Sequence, residues 1–243
     1  MLRKLLRGPA ARSKTIVAMR QHWGMLPAVL GGYDRAARKA WSQFGEDDVL
    51  VELLNDDLKR GYFVDVGANH PAVLSNTFRL YCMGMRGISI EPNDVLCAFH
   101  ARYRPEDTVV CAGVGERDGL LEYFMLNYHA FNTFSEEEAR YRQAHGSKLI
   151  RRTFKPIFRL DTILRDVPHK DGRDVFALLS IDTEGMDEMV LGSNDWSKYR
   201  PRHILIESNT EDAAAKTAAL LKDLGYTLRQ RFEVNGLYSL TNV

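Results

Sequence analysis

The chain has 243 residues, 45% of them hydrophobic and 27% charged, with a net charge of +1. That length suffices for one α/β domain with a full core, and no apolar run approaches the length that crosses a bilayer, which excludes a membrane span. The three cysteines, Cys82, Cys97 and Cys111, are odd in number and lack metal-like spacing, which argues against a disulfide framework or a zinc site and suits a reducing, cytoplasmic compartment.

Residues 1–40 carry nine Lys or Arg against Asp34 alone, a surplus of +8 that leaves −7 on the rest. Its apolar patches, Ile16–Met19 and Leu26–Leu30, are separated by Arg20 and His22, so the segment does not read as a secretory signal. It is expected to be a basic, partly amphipathic helical extension. Such a helix rests on anionic lipid or on a partner protein, which would put the molecule at the membrane periphery; a solvated arm packed on its own domain fits equally well. No basic-aromatic pattern argues for nucleic acid.

From Ser42 a second unit begins, running from residue 41 to 243. Ser42 suits the cap of a helix whose first turn holds Glu46, Asp47 and Asp48, with Val49, Leu50, Leu53, Leu54 and Leu58 at helical spacing. A strand over Tyr62–Val66 follows, then a helix over Asn76–Met83 and a strand over Gly87–Glu91. Pro92 suits the first turn of a helix reaching Tyr103, and a third strand covers Thr108–Gly113. Regularity then loosens: an extra strand at 120–126, a polar stretch over 127–150 with a charged helix at Ser135–Ala144, and an extended piece at 153–160 interrupted by Pro156. The alternation returns with an apolar strand at 175–182, a helix through Met186, Met189 and Val190, a strand at His203–Glu207 and an alanine-rich helix. The C-terminus reads as a hairpin turning at Asn235-Gly236. Strands alternating with helices predict a doubly wound, Rossmann-like mixed sheet, the terminal hairpin supplying its antiparallel part.

Ligands of such sheets sit beyond the carboxyl ends of the strands. Those ends read Asp65-Val66-Gly67-Ala68-Asn69-His70, Glu91-Pro92-Asn93, Ala112-Gly113, Asp182-Thr183-Glu184 and Glu207-Ser208-Asn209. One acid at a strand end is usually a helix cap; acids at four of five is a pattern. The stretch after Val66 has one glycine, so the G-x-G-x-x-G cradle for a dinucleotide is missing, and the Walker-type phosphate loop is absent. That counts against a nicotinamide-dependent oxidoreductase. An acid some 20–25 residues past the first glycine accepts from both ribose hydroxyls, and Glu91 lies at that distance from Gly67. The layout fits a nucleoside without phosphate and with a cationic tail, which is S-adenosylmethionine. Its expected contacts are Asp65, Gly67, Asn69, Glu91, Pro92, Asn93, Ala112 and Gly113.

Four ordered blocks, "SQFGEDDVL", "FVDVGANHPAVLSNT", "GISIEPN" and "LLSIDTEGMDEMVL", together resemble the FkbM-type methyltransferases, a branch of the class I S-adenosylmethionine-dependent enzymes. The resemblance covers roughly residues 41–210. It implies a seven-stranded sheet and methyl transfer to a hydroxyl oxygen, with sugars and polyketides as typical acceptors. The stretch "YCMGMRG" departs from the family, which often has an aromatic where Met85 stands, an exchange expected to alter a wall of the pocket.

An aliphatic hydroxyl is a poor nucleophile near neutral pH and needs a base or a metal. Asp182 ranks first, as base or metal ligand; His70, beside the cofactor turn, is the preferred general base; Glu184 is the third catalytic candidate, although its place before a helix also suits a plain N-terminal charge. His129, Asn132 and Glu207 are expected substrate contacts. Asp182, Glu207 and Asn209 offer oxygen ligands for a magnesium-like ion. His100 is read as structural. The expected function is O-methylation of a saccharide, glycolipid or related metabolite. The rival from another class is a non-catalytic docking module that keeps the cofactor fold and is recruited through residues 1–40.

Overall fold

The computed structural model describes residues 41–167 and 172–241; the basic segment 1–40 lies outside them. The chain builds α1 (Glu46–Leu53), β1 (Gly61–Val66), α2 (Phe78–Cys82), β2 (Arg86–Ile90), α3 (Asp94–Tyr103), β3 (Thr108–Val110), β4 (Gly113–Val114) and β5 (Gly119–Leu126). It continues through α4 (Glu136–Ala144), β6 (Leu149–Phe158), α5 (Leu160–Asp166), β7 (Val175–Ile181), α6 (Asp187–Gly192), β8 (His203–Glu207), α7 (Glu211–Asp223), β9 (Tyr226–Arg231) and β10 (Asn235–Leu240).

Seven strands form one sheet of order β3-β2-β1-β7-β8-β10-β9. The first five pair in parallel, and β10 runs antiparallel to both β8 and β9. The period of two along β1 explains the sheet's two faces. Val64 and Val66 join Ile88, Ile204, Ile206 and Leu221 in one core, whereas Phe63 joins Leu50, Leu80, Leu178 and Leu205 in the other. Both faces are covered, and so β7 is a continuous apolar run. Asp65 shares the face of Phe63.

Several expectations are corrected in detail. The third strand stops at Val110; the chain turns through Cys111 and Ala112, and Gly113–Val114 joins a second sheet of order β4-β6-β5. The loosely patterned strands at 120–126 and 153–160 therefore belong together, paired in antiparallel over Gly119–Leu126. Ser42 is not the N-cap of α1, whose cap is Gly45; its hydroxyl accepts from the Asp47 amide at 3.2 Å and donates to Asp47 Oδ1 at 2.6 Å. Pro92 precedes α3, which is capped by Asn93 Oδ1. The hairpin reverses at 232–234, because Asn235 and Gly236 are already paired with Glu207 and Ile206 of β8, and the buried Asn235 amide donates to Glu46 Oε1 at 2.6 Å. Met85 is fully buried in the core with Leu50, Leu54 and Phe63, so it walls no pocket.

Candidate active site

A cavity of about 320 Å³ opens at the carboxyl ends of the parallel strands. Asp65, Gly67, Asn69, Glu91, Pro92, Ala112 and Gly113 line one half, and Asp182, Glu184, Glu207 and Asn209 line the other; His129 and Asn132 descend from the segment after β5. Of the expected residues, His70 and Asn93 are not part of this lining.

The first half is held by backbone donors. Gly67 has φ +77°, and a Cβ there would lie 1.8 Å from the Asp182 carbonyl oxygen, so only glycine lets the loops after β1 and β7 meet. Asn69, also left-handed at φ +46°, donates its amide N–H to Glu91 Oε2 at 2.9 Å, while the Asn93 N–H donates to Glu91 Oε1 at 2.8 Å. Asn93 thus acts through Glu91. Burial pushes the Glu91 carboxyl up to about 7, against the two amides that favour its ionised form. Asp65 Oδ2 accepts from Thr77 Oγ1 at 2.6 Å. Burial raises the Asp65 carboxyl, opposed by Thr77, Arg104 and Ser180. Gly113 is required by packing: a Cβ would lie 2.4 Å from the Phe134 ring.

The second half is wired differently. Asp182 is partly buried, hydrogen-bonded to Glu207, and raised well above the usual carboxylate range by loss of solvent and by Glu207, Asp187 and Asp65. Burial pushes Glu207 up to about 8, helped by Glu184 and Asp187. Burial likewise pushes Glu184 up to about 8, with Asp182 adding to it and Arg142 opposing. Glu184 sits at φ +53°, an uncommon conformation for a residue with a side chain. Thr133 Oγ1 donates to its carbonyl at 2.8 Å, and Arg142 NH2 donates to its Oε2 at 2.7 Å.

His70 is corrected as the base. Its Nδ1 accepts from the Ala72 and Val73 amides at 3.1 and 3.0 Å, so this nitrogen is taken up in folding the loop after β1, and the residue is not among those lining the cavity. The magnesium expectation finds no support. Among the described residues no group of three or more His, Cys, Asp or Glu is arranged to hold a metal ion, and Asn209 turns its amide, a donor, to Glu207 Oε2 at 3.0 Å. His129 Nδ1 lies 2.7 Å from Asn69 Oδ1, and Asn132 Oδ1 accepts from the Leu126 amide at 2.8 Å.

Three supporting residues escaped the sequence. Thr77 and Arg104 stand behind Asp65, and Arg142 from α4 reaches Glu184. His100 is structural as expected, but its Nε2 meets the Asn69 carbonyl at 2.9 Å and so fixes the left-handed turn; burial pushes its imidazole down to about 3, keeping it neutral. Only the charged helix at 135–144 offered a signal, a basic residue among acids on an element expected near the site.

This strand order, with a cavity at the carboxyl edge walled by acids, is that of a class I methyltransferase. A family model described as the methyltransferase FkbM domain matches residues 65–228. Among solved structures, an FkbM methyltransferase from Methylobacillus flagellatus KT is 17% identical over 73% of this chain and 43% of its own, with a TM-score of 0.45. A precorrin-6y C5,15-methyltransferase from Geobacter metallireducens GS-15 is 15% identical, over 86% of this chain and 95% of its own, with a TM-score of 0.45. The chain thus spans less than half the length of the Methylobacillus protein. No curated protein matches it. The chain belongs to the FkbM methyltransferase family. No helix of the described residues is long and apolar enough to cross a membrane.

Proposed function

We propose that the protein is an S-adenosylmethionine-dependent O-methyltransferase acting on a hydroxyl of a saccharide, glycolipid or related metabolite. One observation carries the reading: four carboxyls, the buried Glu91 and the partly buried Asp182, Glu184 and Glu207, line a single cavity in which Arg142 is the one cation among the described lining residues. Family membership brings the expectation of S-adenosylmethionine, and the donor set fits it. Glu91 keeps lone pairs beyond its two amide bonds for a vicinal diol, and the acidic wall complements a cationic tail.

The cofactor supplies a methyl group on positively charged sulfur. Glu91 and the loop at Gly67 hold its nucleoside end. Asp182 and Glu207 share protons; once the pair has lost one, it would take the proton of the acceptor hydroxyl while the methyl group passes to that oxygen, the S–C bond breaking as the C–O bond forms and the sulfur leaving as a neutral thioether. Asn132 and His129 orient the acceptor, and Tyr128, at the mouth, offers an aromatic face to a sugar ring. Rate depends on alignment as well as on the base.

Calorimetry tests the cofactor, because a cation entering a protonated acid cluster lowers its pKa values and expels protons. Titration in two buffers of different ionisation enthalpy is expected to show net proton release with S-adenosylmethionine and less with the uncharged S-adenosylhomocysteine. Absence of binding would falsify the cofactor assignment. Incubation with labelled cofactor and extracted glycans and lipids, followed by mass identification of the product, tests the acceptor; methyl found only on nitrogen or carbon would sink the O-transfer assignment.

A further inference from the structure

We propose that Arg104 and Thr77 form a directed relay onto Asp65, making them positioning residues for the cofactor. The inference rests on the reading that Asp65 faces bound S-adenosylmethionine. Arg104 follows the last residue of α3 and Thr77 directly precedes α2. Arg104 is completely buried, its guanidinium over the rings of Phe63 and Tyr81 at 5.1 and 5.3 Å. Its Nε donates to Asp107 Oδ2 at 2.7 Å, and its NH1 donates to Thr77 Oγ1 at 3.0 Å. Thr77 Oγ1 in turn lies 2.6 Å from Asp65 Oδ2.

The direction of this chain follows from the chemistry of its members. A guanidinium has donors and no acceptor. The Thr77 oxygen therefore accepts from Arg104, and its own proton points to Asp65, whose Oδ2 must be an acceptor. A hydroxyl that accepts from a cation is polarised and becomes a stronger donor, more so inside a protein than in water. The relay thus favours the carboxylate form of Asp65 and fixes which oxygen turns inward, leaving the other side of the group for the cavity that Asp65 lines.

Every charge facing Asp65 bears on this balance. Arg104 and the hydroxyls of Thr77 and Ser180 favour the ionised form, whereas burial opposes it. Glu91 at the end of β2 and Asp182 beyond β7 interact with Asp65 as like charges. Asp107 shares Arg104 and draws on the same positive charge. Without the Thr77 hydroxyl, burial and the neighbouring acids keep Asp65 protonated up to a higher pH.

The test is the pH dependence of S-adenosylmethionine affinity in the full chain. Thr77→Val keeps the shape and removes the hydroxyl; it is expected to weaken binding about tenfold at pH 7 and to move the acid limb of the profile upward by about one unit. Thr77→Ser, which restores the hydroxyl, is expected to restore the profile. A purely structural role would lower the melting temperature and leave that limb in place. Wild-type protein that fails to bind removes the cofactor reading and the relay with it. Wild-type binding with an unmoved limb in T77V, or an equal displacement in T77S, overturns the relay alone. Should T77V not fold, carbon-13 NMR of the wild-type Asp65 carboxyl decides: ionisation at pH 7 is expected, and a protonated group there overturns the proposal.

Discussion

The half of the cavity we propose for the cofactor, on β1–β2, and the half we propose for the acceptor, on β7–β8, are both built from acids at strand ends, but their wiring is opposite. On the β1–β2 side each carboxylate meets donors: two backbone amides for Glu91 and the Thr77 hydroxyl for Asp65. On the β7–β8 side Asp182 and Glu207 meet each other, and Glu184 meets the single cation Arg142. Amide donors stabilise a fixed negative charge, whereas facing carboxyls must hold protons between them. One half is therefore suited to holding a ligand and the other to moving a proton.

The largest expected effect breaks that division directly. Asp182→Asn removes the shared proton site without changing shape, and turnover is expected to fall about 10²- to 10⁴-fold with little change in cofactor Kd. Equal losses in both would mean that the acceptor half also holds the cofactor. Glu91→Ala is expected to do the reverse. It leaves the Asn69 and Asn93 amides without their acceptor and weakens S-adenosylmethionine binding about 10- to 100-fold by calorimetry, or about 1.4–2.8 kcal/mol.

The third expectation concerns stability. Glu207 has its folded-state pKa raised to about 8, so the folded chain binds more protons than the unfolded one between the ordinary carboxyl range and pH 8. Stability from this group is full below the unfolded value and is lost as pH rises through 8. Glu207→Gln removes the group that must ionise. Its melting temperature is expected to exceed that of wild type at pH 9 by a few degrees, about 1 kcal/mol, with the difference vanishing near pH 4. A thermal scan showing the same offset at both values would argue that packing, and not charge, sets the difference.

The division was half legible in the sequence. Strand ends could be located because apolar runs stop at Gly67, Glu91, Asp182 and Glu207, and the four ordered blocks supplied the family; the parallel sheet and its antiparallel edge follow the same alternation. What joins one carboxyl to another is tertiary and leaves no local mark. Thr77 is 12 residues from Asp65 and Arg104 is 27 from Thr77, so neither stands out beside its partner. His70 was misjudged for a related reason: a histidine before Pro71 beside the cofactor turn has the right address, but its ring nitrogen is taken by amides two and three residues ahead. The Asn235-Gly236 turn signal lost to a tertiary contact, since the Asn235 amide is worth more buried against Glu46 than exposed in a tight turn.

The smallest effect belongs to the strap between the halves. Arg142 lies on α4, stacks over the Phe131 ring at 4.2 Å and bonds Glu184 at 2.7 Å, so it ties the segment after β5 to the acid-rich wall. Its pair is partly exposed, with side chains 22% and 14% accessible, which keeps the coupling well below that of a fully buried pair. Removing it frees Glu184 from the cation it pairs with and loosens the residues over the acceptor side. Arg142→Ala is therefore expected to raise the KM for the acceptor several-fold, with cofactor Kd and melting temperature nearly unchanged. Arg142→Lys keeps the charge but not the flat face on Phe131, and is expected to recover only part of the loss. If Arg142→Ala instead weakened cofactor binding more than acceptor use, the strap would belong to the first half, and the boundary drawn between holding and proton transfer would have to move.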